Sequence, residues 1–163
     1  MARSDLEVRV TQSVLDRLLD YDPQETRETP KSRSASMHEL KLSIRRDLEW
    51  LLNTRCHARS PDDKPSEAKR SVAFYGLPDI VGINAKNNQE QQRLTKALET
   101  AIKNFEPRFL NVKVSMEPVD TVDRNLKFRI EASLDVDPAP EPIIFDTLLE
   151  MGSGEFTISG SGL

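Results

Sequence analysis

The sequence predicts an α+β fold, in which helices pack on one face of a small, largely antiparallel or mixed sheet. Apolar residues recur at three- and four-residue steps in the first two thirds of the chain, and at every second position after Pro107. Helices first and strands later, with short connections between the strands, are typical of this fold class. The chain has 163 residues, of which 37% are hydrophobic, so we predict one domain, residues 1–163, with a substantial core.

A short first helix is predicted after a polar segment, residues 1–12, which we expect to be flexible. Ser13 can cap its first turn. The Asp22-Pro23 step sets its end, because a proline disfavours helix in the residue before it. Its apolar face consists of Leu15, Leu18 and Leu19.

A longer second helix is predicted to begin at a capping-box pattern, with Ser36 as the cap and Glu39 three residues later. Trp50 lies off its apolar stripe, where it either covers a second core face, which we favour, or anchors a protein interface. The stripe consists of Met37, Leu40, Ile44, Leu48, Leu51 and Leu52.

A third helix is predicted from about Gln89 to Phe105, where Pro107 stops it. Its stripe consists of Leu94, Ala97, Leu98, Ala101, Ile102 and Phe105. Strict alternation of apolar and polar residues then predicts strands with one buried face. These strands cover residues 112–116, 126–136, 143–149 and 155–159, with a proline-rich connector at 137–142.

Three polar or glycine-rich stretches are predicted to lie outside regular structure. Residues 24–35 and 58–70 contain prolines and no large apolar side chain, so we expect exposed loops. The tail, residues 160–163, is expected to fray.

Composition excludes several classes of function. The net charge of −4 argues against sequence-independent binding to nucleic acid, which depends on a basic excess. One cysteine, Cys56, and two histidines cannot build a zinc-finger site, and we expect no metal and no cofactor. No apolar segment is long enough to span a bilayer, and the first residues lack the apolar core of a secretory signal. We therefore expect a cytoplasmic protein without membrane insertion.

No catalytic constellation stands out, so we predict a protein that is not an enzyme and has no catalytic residues. The chain has 27 acidic residues, yet no two of them form a local pair that would indicate a glycosidase. His38, predicted in the first turn of a helix, and His57, at the edge of a loop, do not suggest a triad with Cys56. The sequence also lacks a glycine-rich nucleotide-binding motif.

Two interpretations of Glu106-Pro107-Arg108 are open from the residues alone. One is a helix stop, with Arg108 near the negative end of the helix dipole. The other is a recognition motif, in which Pro107 makes Glu106 and Arg108 project rigidly towards a partner's charges. The last strands also allow two interpretations: a plain hairpin, or a sheet edge that accepts a partner strand through main-chain hydrogen bonds.

Several separated motifs, in order, resemble the TssE family of type VI secretion baseplate components. These are SVLDRLLD at 13–20, IRRDLEWLLNTR at 44–55, YGLPD at 75–79, FEPR at 105–108, and the segments FRIE, DPAPEP and FDT between residues 128 and 147. The resemblance covers residues 13–158. This family is related to a wedge protein of contractile phage-tail baseplates that was often labelled lysozyme-like.

The resemblance implies an α+β fold and a cytoplasmic baseplate subunit that contacts the wedge proteins TssF, TssG and TssK. It implies that Glu106, Pro107 and Arg108 bind these partners, so Arg108→Ala is expected to block assembly and leave the fold intact. It further implies that the last strands act as a template for the contractile sheath of TssB and TssC, through Ile143, Ile144, Phe145, Phe156 and Ile158. The alternatives are a lysozyme-like peptidoglycan hydrolase and a small cytoplasmic regulator of the same fold.

Overall fold

A computed structural model describes residues 10, 12–19, 23–24, 32–56, 66–79, 87–117 and 125–161. Within these ranges the chain forms four α-helices, a single 3-10 turn at Val72–Phe74 and four strands, which confirms the predicted α+β class. The helices are α1 (Val14–Leu18), α2 (Arg33–Asn53), α3 (Ser66–Lys69) and α4 (Asn88–Phe105). The strands are β1 (Phe109–Met116), β2 (Leu126–Leu134), β3 (Glu141–Leu149) and β4 (Phe156–Ser161).

The sheet is an antiparallel meander in the order β1-β2-β3-β4. In β2 buried residues alternate without a break with partly or fully exposed ones, as the two-residue period predicts. The helices α2 and α4 cover the inner face, with α2 against β4 and α4 against β1. The predicted α2 stripe is buried in full, and the most enclosed core side chains include Ile44, Leu48, Ile102, Phe128, Ile130 and Phe145.

The predicted start of α2 is wrong by one turn. The cap is Ser32, whose hydroxyl accepts a hydrogen bond from the backbone N–H of Ala35 at 3.3 Å. Glu39 does not close a capping box; its carboxylate accepts a hydrogen bond from the side chain of Gln12 instead. Residues 33–35, predicted as loop, are therefore helical, while residues 25–31 lie outside the described ranges.

Two further expectations about loops need correction. Residues 66–69 form α3, although the whole of 58–70 was expected to be loop; residues 58–65 lie outside the described ranges. In the tail, Gly160 and Ser161 belong to β4 and pair with Phe145 and Ile144, so they do not fray. The pairing of β4 with β3 outweighs the low strand propensity of glycine and serine.

After α2, the backbone of residues 54–56 lies close to the backbone at Leu77. This close crossing of the two segments depends on Gly76. The backbone N–H of Leu77 donates to the Thr54 carbonyl at 2.8 Å, and that of Cys56 donates to the Leu77 carbonyl at 2.7 Å. Gly76 has φ of +104°, and a Cβ added there would lie 2.3 Å from the Thr54 carbonyl oxygen. Leu77 is buried in the core, as expected from the sequence, so this crossing fixes the segment that carries Tyr75 against α2.

We expect Gly76→Ala to lower the free energy of unfolding by at least about 2 kcal/mol, because the left-handed conformation and the backbone clash add together. Urea denaturation of the purified chain measures this loss. Gly152→Ala is the matched control, since a Cβ at Gly152 would meet nothing within 4 Å. Equal stability of the two variants would contradict the assigned crossing.

Candidate functional site

The corner at which α4 passes into β1 holds the three residues singled out in the sequence. Glu106 is the C-cap of α4, and its backbone N–H donates to the Ile102 carbonyl at 2.9 Å. Its side chain is buried, with 5% of the residue exposed, whereas Pro107 is exposed. The expectation that Glu106 projects from the corner is therefore wrong, because its carboxylate is paired inside the chain.

Arg108 makes that pair with a forked geometry. Its Nε donates to Glu106 Oε1 at 2.6 Å and its Nη2 to Glu106 Oε2 at 2.5 Å. The same Nη2 donates to Asp47 Oδ2 of α2 at 2.6 Å. Two parallel bonds to one carboxylate fix the plane of the guanidinium group, which a lysine could not do.

The electrostatics keep Arg108 charged. Burial lowers the pKa of Arg108, but the hydrogen bonds and charge of Glu106, followed by those of Asp47, outweigh it and hold the pKa above its usual range. The corner thus ties α4, β1 and α2 together through one cation and two carboxylates.

The pairing continues along α2 to α1. Arg46 donates through Nη2 to Asp47 Oδ1 at 2.9 Å and to Asp16 Oδ1 at 2.8 Å, while Ser43 donates to Asp16 Oδ2 at 2.6 Å. We call the connected set the charge network. It consists of Asp16, Ser43, Arg46, Asp47, Glu106 and Arg108.

Helix α1 is held by this network rather than by a core contact. Ser13 caps it as predicted, since its hydroxyl accepts from the Asp16 N–H at 3.2 Å. No residue of α1 is buried, and the predicted apolar face is exposed. Leu15 is 48% exposed and Leu18 76% exposed, so that face is presented to solvent.

Attachment of α1 is expected to weaken in acid. Burial raises the pKa of Asp16, but hydrogen bonds from Ser13, Ser43 and Arg46 outweigh it, so its pKa lies below the ordinary 3.8. The charged Asp16 carboxylate therefore stabilises the fold above pH 3.8. This contribution is lost as the pH falls through the lowered pKa of the folded chain.

The single tryptophan, Trp50, reports on this event because Arg46 lies 5.0 Å over its ring and also holds Asp16. We expect a fluorescence transition below about pH 3.8 that Asp16→Asn removes. Arg17→Gln is the control, since Arg17 is an exposed neighbour on α1. A transition unchanged in Asp16→Asn would contradict the assignment.

An aromatic groove lies beside the charge network. The groove is lined by Trp50, Leu51, Tyr75, Phe105 and Pro107, together with Gln12, Ser13 and the charged residues Asp47, Glu106 and Arg108. Trp50 is 54% exposed, so the interpretation of it as a second core face is wrong. Apolar burial does not hold Trp50 in place; its ring is held by Arg46.

Tyr75 and Phe105 also line the groove, with ring centroids 5.3 Å apart in an edge-to-face arrangement. Burial raises the pKa of Tyr75, and the charges of Asp47 and Glu106 raise it further, so the phenol keeps its proton and can donate. An exposed Trp and a half-buried Tyr next to a fixed Arg are residue types enriched in the centres of protein interfaces. Sequence inspection missed Tyr75, whose place beside Phe105 depends on the Gly76 crossing.

The residues expected to form the sheath template lie on two strands with different surroundings. Ile143, Ile144 and Phe145 are in β3, which pairs with β2 on one side and β4 on the other. Phe156 and Ile158 are in β4, which lies at the end of the sheet order. Because β3 is paired on both sides, only β4 of these two strands lies at an edge of the sheet.

The described part of the chain was compared with the requirements of a hydrolase, a metal site and a membrane span. Each oxygen of the Glu106 and Asp47 carboxylates accepts a hydrogen bond from a guanidinium group. Neither is therefore poised as a general acid or nucleophile. Within the described ranges, no cluster of three His, Cys, Asp or Glu residues could hold a metal ion. None of the helices described here is long and apolar enough to cross a membrane.

Comparison with known proteins gives a family match and a structural match. Residues 38–139 match the family described as baseplate wedge protein gp25, which is more than half of the chain. No curated protein matches. Among solved structures, a chain of "The baseplate complex from the type VI secretion system" is similar, with 17% identity and a TM-score of 0.48 over 70% of this chain and 97% of that chain.

Proposed function

The chain belongs to the baseplate wedge protein gp25 family, and from that premise we propose that it is the TssE-type wedge subunit of a type VI secretion baseplate. The type VI assignment is supported by the sequence motifs, in particular residues 44–55 and 105–108. In this role the chain is a cytoplasmic structural adaptor and not an enzyme. It joins a wedge complex of TssF, TssG and TssK to the first ring of the TssB and TssC sheath.

The observation that carries the adaptor role is the aromatic groove beside Glu106-Pro107-Arg108. Of the three motif residues, Pro107 supplies exposed surface, while Glu106 and Arg108 hold the corner rigid through their pairing. We assign wedge contact to the groove and to the outer edge of Arg108. A rigid surface loses little side-chain freedom on association, which favours affinity.

The sheath role is assigned to β4, because an edge strand can accept an added strand through its outward N–H and C=O groups. Sheath growth would then start from a chain that is fixed in the baseplate by its groove. The two surfaces belong to different elements, so variants can separate them.

The experiment that tests this role is complementation in cells that lack the chain. Wild type is expected to restore dynamic sheaths, seen as fluorescent TssB structures. Sheath assembly of normal frequency without any copy of the chain would overturn the proposal. If the purified chain cleaves peptidoglycan, and restoration of the sheaths requires this activity, the hydrolase is favoured instead.

A further inference from the structure

The outward edge of β4 is already partly occupied by side chains of α2. In an antiparallel pair, alternate residues direct both backbone groups away from the neighbouring strand. In β4 these are Phe156, Ile158 and Gly160, because their cross-strand partners lie in non-hydrogen-bonded positions between Glu155 and Ser161. The free edge therefore presents six groups, two from each of these residues.

Asn53, the last residue of α2, binds Phe156 as a peptide group would. Its Oδ1 accepts from the Phe156 N–H at 2.8 Å, and its Nδ2 donates to the Phe156 carbonyl at 2.9 Å. A carboxamide has the same donor and acceptor as a peptide unit, so Asn53 takes the place of one residue of a fifth strand.

Glu49, one helical turn earlier in α2, binds the next outward-facing residue of β4. Its Oε1 accepts from the Ile158 N–H at 3.2 Å. Three of the six outward groups are thus bonded to α2. The other three are the Ile158 carbonyl and both groups of Gly160, which no hydrogen bond from the described residues reaches.

The opposite edge of the sheet is irregular. The register of β1 against β2 shifts between Leu110 and Lys113, and Asn111 has φ of +20°. A bulge with a charged neighbour is a device that hinders edge-to-edge pairing. An added strand can therefore pair more regularly with β4 than with β1. At β4 only the side chains of Asn53 and Glu49 oppose the pairing, whereas at β1 the backbone itself is distorted.

We propose that Asn53 and Glu49 form a gate on the β4 edge: an extended strand from a sheath subunit pairs first with Gly160 and the Ile158 carbonyl, then displaces these two side chains. The sheath as source of the strand rests on the proposed function. The gate itself rests on the contacts of α2 with β4. Each displaced side-chain bond is replaced by a main-chain bond, so the net gain in hydrogen bonds comes from the Gly160 end.

The gate is tested on the isolated chain by amide hydrogen exchange. Asn53→Ala is expected to speed exchange at Phe156, and Glu49→Ala at Ile158, each roughly fivefold or more. Glu49→Gln keeps an acceptor oxygen and should leave Ile158 protected. Glu99→Ala, an ion-paired glutamate of α4, is the matched control for a helix-surface change. Unchanged exchange in both alanine variants would overturn the gate.

The occupant is tested by adding purified TssB–TssC to the same variants. Faster or tighter association of Glu49→Ala and Asn53→Ala than of wild type supports a sheath strand on this edge. Altered exchange together with no sheath binding by any variant overturns the sheath as occupant and leaves the gate standing. Self-association of the alanine variants in place of sheath binding would assign the edge to a second copy of this chain, and would also overturn the sheath.

Discussion

Arg108→Ala is expected to lower the free energy of unfolding by about 3 kcal/mol, because it leaves the buried Glu106 carboxylate without its cation. The substitution also removes the ion pair that links the corner between α4 and β1 to Asp47 of α2. This differs from the expectation drawn from sequence, in which Arg108 pairs with a partner and its loss leaves the fold intact. Chemical denaturation of the purified variant measures the change.

Two companion variants make the Arg108 result specific. Pro107→Ala removes an exposed ring and should cost less than about 1 kcal/mol. Arg108→Ala combined with Glu106→Gln should recover part of the lost stability, since the uncompensated buried charge is gone. A fully stable Arg108→Ala chain would show that the arginine does not hold the corner, and would restore the interpretation of a free recognition side chain.

Trp50→Ala is expected to weaken capture of the wedge proteins by about 30-fold or more, the loss typical of a central interface residue. The effect on folding should stay within about 1 kcal/mol, because Trp50 is half exposed and its described ring contact is the one with Arg46. Binding of immobilised TssF–TssG–TssK to each variant measures the first effect, and thermal unfolding measures the second.

Leu42→Ala is the matched control for Trp50. Leu42 is also an exposed apolar residue of α2, with 39% of its surface accessible, and it does not line the groove. It should bind as wild type does. Equal binding by Trp50→Ala and Leu42→Ala would move the wedge contact away from the groove.

Periodicity predicted most of the fold because it reports which face of each element is buried. The α2 stripe, the extent of α4 to within one residue, and the alternation in β2 are all confirmed. Boundaries were less predictable. The start of α2 depends on one hydroxyl bond at Ser32, and the last residues of β4 are held by pairing with β3, which local sequence does not reveal.

The corner that holds the candidate site could be located from the sequence, but the contacts of its side chains could not. The motif residues are adjacent in the chain, so their corner could be located. Their pairing with Asp47, and the exposure of Trp50, arise from the packing of α2 beside the corner, 61 positions away in the case of Asp47 and Arg108. The same applies to Asn53 and Phe156, which lie 103 positions apart. Contacts at such separation depend on tertiary geometry, which a single sequence does not display.

The most direct test of the adaptor role is capture of TssF, TssG and TssK by the tagged wild-type chain from cells that co-express them. We expect all three to co-purify with the chain, and we expect Trp50→Ala, folded as judged by its thermal unfolding, to lose them. A folded wild-type chain that captures none of the three would contradict the assignment to a baseplate wedge.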